Sequence, residues 1–214
     1  MNKIEYRIMG VPSRIGNIKL LQSQLGISDK ETFIDTEYRL NPMWTWKQTV
    51  GLSMNGKTTH LCVIQDDAVL CDGFMEFCNY MVNRFPCEII FLSNWLNLDG
   101  KLPDYCISYP GCCCGGVVTV VPVQYIDSMI DYQEKEYPEY IHDDNFICYW
   151  GYLNGIKTIA PYPSVIDTLE DSTLGHNYNH PHKVCLEPMK YKWINATKIK
   201  YYKNRAFEKY GINY

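Results

Sequence analysis

The run Leu61-Cys62-Val63-Ile64 is apolar without a break and ends abruptly in Gln65-Asp66-Asp67. A short continuous apolar run bounded by polar residues reads as a strand buried on both faces. Such strands belong to sheets covered by helices on each side. Two adjacent carboxylates at the C-terminal end of such a strand repel each other unless a cation or hydrogen-bond donors stand beside them. Open α/β sheets bind their ligands at this edge. Two readings follow from this stretch: a divalent cation holding a phosphorylated substrate, or a polar turn in which Asp66, Asp67 or Asp72 caps the next helix.

The flanking sequence repeats the alternation. Ile4 to Met9 reads as a first strand, broken by Gly10-Val11-Pro12-Ser13. Ser13 is a candidate cap for a helix whose apolar face is Ile15, Ile18, Leu21 and Leu25, closed by Gly26. Thr32-Phe33-Ile34 is a second strand, ending at Asp35. Pro42 opens a helix of about three turns ending before Gly56. Within it Trp44 and Trp46 cannot share a face. Phe74, Phe77, Cys78 and Met81 mark a helix after Gly73, and Glu88 to Leu92 reads as a fourth strand. Asn94 to Gly111 is a long loop or small hairpin region. Gly115 to Val121 is a β-branched strand, with a helix from Pro122 to before Tyr137-Pro138. Phe146, Ile147 and Trp150 form the buried face of a further helix, with Asp143 or Asp144 as its cap and Gly155 at its end. Lys157 to Ala160 is a last strand. Strands alternating with helices predict an α/β protein with a mainly parallel sheet in three layers.

Composition narrows the function. The chain has 214 residues, a formal charge of −4 and 18 tyrosines. That balance argues against a protein that coats nucleic acid, and the tyrosines suit a surface that stacks on rings or sugars. Basic residues gather late, from Lys183 to Lys209, where they could meet phosphates. The 10 cysteines form no Cys-x-x-Cys pair, so a structural zinc site is not expected. Free thiols, an N-terminus without an apolar leader and the lack of any membrane-length apolar run lead to the expectation of a cytoplasmic protein with no membrane partner. No obligate protein partner is expected either.

Three polar clusters can carry chemistry: Asp66-Asp67, Asp143-Asp144, and Asp171 to His182, which includes His176, His180 and His182. The ordered set of Gly10 to Arg14, Asp35, Trp46-Lys47, Gln65-Asp66-Asp67, Gly116 to Val121, Asp143-Asp144 and a late histidine resembles small glycosyltransferases of the GT-A type. It is most similar to phage-encoded members, and more distantly to the lipopolysaccharide and collagen glycosyltransferase family. The resemblance implies a GT-A, Rossmann-like domain over residues 1–182, with 183–214 as a basic segment packing on or extending it. It implies a nucleoside diphosphate sugar as donor and Mn2+ or Mg2+ as cofactor.

By the same resemblance, Asp67 and His176 would bind the metal, with His180 and His182 as competitors. Val11, Ser13, Arg14, Asp35, Trp46, Lys47, Asp66 and Lys183 would hold the nucleotide or its diphosphate. Gln65 stands where the family's motif has its first acid. Asp144, with Asp143 beside it, would be the base of an inverting transfer. For a phage enzyme, working in the host cytoplasm, the expected acceptor is a hydroxylated base in DNA. Two rivals share parts of this pattern: a nucleotidyltransferase, and a noncatalytic module binding nucleic acid through its aromatics and basic tail.

Overall fold

Successive side chains of a strand point to opposite faces, and strand β3 (His60–Gln65) uses both. Cys62 and Ile64 enter one apolar core, Leu61 and Val63 a second. A computed structural model describes residues 2–39, 41–93, 105–108, 116–161 and 166–169. Around β3 lie β1 (Ile4–Gly10) and β2 (Thr32–Ile34) on one side. On the other side come β7 (Val118–Pro122), β5 (Ile89–Phe91), β8 (Thr158–Pro161) and β6 (Tyr105–Ser108). The sheet order is β2-β1-β3-β7-β5-β8-β6.

Helices α1 (Ile15–Leu25) and α3 (Phe74–Arg84) contribute to the first core. Helices α2 (Pro42–Val50), α4 (Ile126–Glu136) and α5 (Asp143–Leu153) contribute to the second. The α/β class and the three layers are those expected from the alternation. Five of the seven strands run one way, and β7 and β6 run against their neighbours. A β-branched run such as Val117 to Val121 is equally at home in either direction, so composition carries no sign of the reversal.

The pairing fixes one functional edge. Met9 lies opposite Gln65 and Gly10 opposite Ile34, so β1, β2 and β3 end together. Because β7 is antiparallel it begins at that edge, and Gln65 N–H donates to Val117 O at 2.8 Å. A second small sheet pairs β4 (Ala68–Leu70) with β9 (Ile166–Thr168) immediately after the acidic turn. Leu169 N–H donates to Asp67 O at 2.9 Å, which brings a late part of the chain to that turn.

Several local expectations are revised. Ser13 does not cap α1: Pro12–Arg14 form a single 3-10 turn, Arg14 is the N-cap residue, and Ser13 N–H donates to the Tyr38 hydroxyl. Helix α2 stops at Val50, with Gly51 as its C-cap, well short of Gly56, and Arg7 takes up its terminal carbonyls. Arg7 is fully buried, and its Nη1 donates to the Thr49 and Val50 carbonyls at 2.8 and 2.9 Å. These are among the last carbonyls of the helix, which lack partners within it. Residues 183–214, and with them the proposed domain boundary, lie outside the described residues. No helix among the described residues is long and apolar enough to cross a membrane.

Candidate active site

The turn after β3 is held by donors from α1 and the loop before it. Asp66 accepts from Val11 N–H at 2.7 Å through Oδ2 and from Arg14 Nη1 at 2.9 Å through Oδ1. The Asn17 amide donates to the Asp66 and Ala68 carbonyls at 2.7 and 3.0 Å. Asp67 Oδ2 stands 3.9 Å from Arg14 Nη1. One guanidinium therefore faces both carboxylates and offsets their repulsion. Both acids are buried, with 5% and 6% of their surface exposed. The capping reading of the turn is not realised, because α3 begins at Gly73 with no side-chain cap.

Asp143 and Asp144 reach the same edge from the other side of the sheet. They occupy the first turn of α5, where the helix dipole favours negative charge. Neither is the N-cap; His142 is, without a side-chain cap bond. Asp143 is 3% exposed, with the Gln65 side chain beside its carboxyl. Burial first, and the neighbouring Asp144 charge second, push its carboxyl up to about 8. Asp144 is half-buried and accepts from Asn145 N–H at 2.6 Å. Gln65, read from sequence as a departure from an acidic motif, directly precedes Asp66 and through its N–H ties β3 to the start of β7, beside Gly116 and the second acid pair.

Two glycines make this approach possible. A Cβ on Gly10 would stand 2.5 Å from Asp66 Cβ, and one on Gly116 would stand 2.6 Å from Asp144 Cβ. No side chain fits at either place without displacing an acid. Gly10, Gly116, Asn17 and Gln65 were not assigned these roles from sequence. The available signal was a glycine at a strand end facing an acidic turn, which becomes interpretable only once the pairing is known.

The other sequence candidates are divided. Asp35 lies at the same edge, its N–H bonded to Gly10 O at 2.7 Å. Its carboxylate accepts from the Glu37 and Arg39 N–H groups and so closes its own loop. Val11 and Arg14 bond to Asp66 at the turn, while Ser13 between them bonds to the Tyr38 hydroxyl. Trp46 and Lys47 do not join them. Trp46 is 0% exposed inside the second core, where its ring cannot touch a nucleotide. Lys47 Nζ bonds Gln133 and Glu134 of α4 at 2.9 and 3.1 Å, tying two helices together. Trp44 is the half-buried member of the pair; it packs edge-on against Phe33, with the Arg39 guanidinium 4.3 Å from its ring centre. His176, His180, His182 and Lys183 lie outside the described residues.

Among the described residues no three His, Cys, Asp or Glu side chains gather as a metal cage. Asp67 brings a single hard carboxylate. That donor set fits Mg2+ or Mn2+, which take oxygen ligands and can leave several positions to water and substrate phosphate. It does not fit an all-protein zinc site.

No protein-family model and no curated protein sequence matches the chain. Among solved structures, the chain is similar to a Drosophila beta-1,4-galactosyltransferase 7 mutant in complex with manganese, UDP-Gal and xylobiose. The identity is 11% and the TM-score 0.42, over 91% of this chain and 79% of that one. The overlap is too loose to carry chemistry from one chain to the other.

Gly116→Ala is expected to lower unfolding stability by about 1–3 kcal/mol, as overpacking does. Gly56→Ala, with nothing within 4 Å of the added carbon, serves as the control. Urea titration of both variants measures the difference. Asp143 gives a second prediction. Its folded pKa lies above its unfolded value, so its contribution is fully present below 3.8 and lost as pH rises towards about 8. Asp143→Asn removes this loss, and the stability of the variant relative to the parent should rise across that window. Taking the difference separates Asp143 from His60, whose burial-lowered pKa acts in the opposite sense.

Proposed function

We propose that the chain is a metal-dependent glycosyltransferase of the GT-A type, moving a sugar from a nucleoside diphosphate sugar to a hydroxyl acceptor. One observation carries the reading: two acid pairs lie at the C-terminal edge of the parallel strands, Asp66 seated on Gly10 and Asp144 on Gly116, on neighbouring strands tied by the Gln65 N–H to Val117 O bond. Their surroundings suit two different tasks. Asp67, with Arg14 near it, suits the cation and diphosphate; Asp144, half-buried, suits an acceptor hydroxyl. The resemblance in sequence runs in the same direction.

In this reading the nucleotide lies along Val11 to Arg14 and Asp35, at the ends of β1 and β2. A divalent cation, when bound, offsets the charge that develops on the leaving diphosphate. Asp67 is its ligand. His176 is the proposed second ligand, with His180 and His182 as competitors. Leu169 bonds to Asp67 O, and His176 follows seven residues later (176 − 169). Lys183 is proposed to face the diphosphate.

The acceptor hydroxyl gives its proton to Asp144 as its oxygen forms the new bond to the anomeric carbon. The bond from that carbon to the phosphate oxygen breaks, and the nucleoside diphosphate leaves with the electron pair. Attack opposite the leaving group inverts the anomeric centre. Asp143, held protonated by burial at neutral pH, enters as Gln65's partner and not as a second base.

The nucleotidyltransferase reading has less support. Its phosphate loop needs main-chain N–H groups turned to the ligand, and the Val11 N–H is already donated to Asp66. A phage origin, host cytoplasm and a DNA acceptor rest on the sequence resemblance and on the basic segment from Lys183.

Release of nucleoside diphosphate from a panel of nucleotide sugars, with Mn2+ and candidate acceptors, tests the function. Asp67→Asn and Asp144→Asn are each expected to lower turnover by about a hundredfold or more. Full turnover in Asp67→Asn, or in excess chelator, would sink the proposal.

A further inference from the structure

The turn between α4 and α5 carries an unusual exposed aromatic surface. Tyr137 and Tyr140 are 37% and 38% exposed, and Ile141 beside them is 41% exposed. Tyr140 N–H donates to Tyr137 O at 3.0 Å, closing the turn through Pro138 and Glu139. Buried Gln133 donates to Tyr137 O at 2.8 Å, fixing the turn from within. The rings are braced from behind. Tyr137 lies 5.9 Å from Tyr132, 6.4 Å from Phe146 and 5.8 Å from Tyr149, centre to centre. Tyr140 lies 6.5 Å from Phe146 and 5.9 Å from the ring of His142. Exposed rings held this firmly lose little freedom when something stacks on them.

Position and charge say what that could be. The turn runs directly into α5, whose first residues are Asp143 and Asp144, and Met43 N–H pins it at Ile141 O at 2.9 Å. The surface around it is acidic. Among the described residues Asp131, Glu134, Glu136 and Glu139, at the end of α4 and in the turn, are exposed, and Lys135 and Lys47 are paired with Glu136 and Glu134. Glu136 and Glu139 adjoin Tyr137 and Tyr140 in the chain, within a Debye length of about 8–10 Å, and charge of that sign disfavours a polyanion on the rings. It does not oppose an uncharged ligand. A sugar ring meets a tyrosine face with its C–H hydrogens, whose partial positive charge suits the negative π face, while its hydroxyls bond to carboxylates and phenols.

We propose that Tyr137 and Tyr140 form the acceptor platform of the enzyme and that the acceptor is a neutral carbohydrate, not DNA. Its status as the acceptor site rests on the transferase reading above; its preference for neutral sugar does not. The platform would set a saccharide beside the start of α5, with one hydroxyl directed to Asp144.

Binding of the full chain to immobilised neutral oligosaccharides (glucosyl, galactosyl and xylosyl di- to tetrasaccharides) and to duplex DNA tests this. The wild type is expected to hold at least one neutral oligosaccharide in preference to DNA. Tyr137→Ala and Tyr140→Ala should each weaken that binding about tenfold, equivalent to about 1.4 kcal/mol. Tyr140→Phe keeps the ring and should bind nearly as the wild type does, which separates stacking from misfolding. No binding to any of the neutral sugars, equal binding by the alanine variants, or preference for DNA would overturn the proposal. Nucleoside diphosphate binding with Mn2+, measured on the same samples, separates the two claims. If it survives while sugar binding fails, only the platform falls. If it is absent while sugar binding follows the tyrosines, the platform stands and the transferase reading falls.

Discussion

The Asp66 carboxylate joins two parts of the chain that sequence keeps far apart. It takes the Val11 N–H and the Arg14 guanidinium, and thereby fixes the β1–α1 loop onto the end of β3. Gly10 lets the two backbones approach closely enough for this contact. Buried charge is tolerated only when hydrogen-bonded and paired, and Asp66 has both kinds of partner. With Asp66 so held, Asp67 is presented next to Arg14 at a fixed place on the sheet edge. Its distance from that guanidinium, 3.9 Å, is longer than Asp66's 2.9 Å. The two adjacent acids are therefore different chemical groups, one holding the loop and one suited to a ligand.

The same division recurs across the edge. Asp143 is buried and raised in pKa by that burial and by Asp144, while Asp144 is half-buried against Gly116. Asp66 is held by Val11 and Arg14, and in each pair the two members sit in different surroundings. The reversed strand β7 is what makes the second pair possible. By starting at the edge where β3 ends, it brings Gly116 to the same place and lets α5 begin there. The turn that carries Tyr137 and Tyr140 leads directly into the first turn of α5, where Asp143 and Asp144 stand.

Much of the fold was legible because it rests on local periodicity. The buried faces of α3 and α5 follow from apolar spacing, as does that of α1 at Ile18, Leu21 and Leu25, whereas Ile15 in its first turn is 44% exposed; the run Leu61 to Ile64 identified the central strand. What failed depends on partners distant in sequence. Trp46 and Trp44 were indistinguishable until α2 packed, burying one and leaving the other half-open beside Arg39. Lys47 reads as a free cation, but Gln133 and Glu134 lie 86 and 87 positions away. The pairing of β4 with β9 bridges nearly a hundred residues and left no local mark. In the site, the acids were visible as types and spacings. Their unequal roles were not, since those come from Gly10, Gly116, Asn17 and Gln65.

The central claim is that Asp67 and Asp144 do different work at one edge, cation and diphosphate at the first, acceptor proton at the second. Electron paramagnetic resonance of Mn2+ titrated into the protein with a nucleoside diphosphate reads the first role without any transfer assay. The account predicts that Mn2+ and nucleoside diphosphate bind together, that Asp67→Asn abolishes the bound signal, and that Asp144→Asn leaves it intact. A bound Mn2+ signal that survives Asp67→Asn, or disappears in Asp144→Asn with the fold preserved, would contradict it.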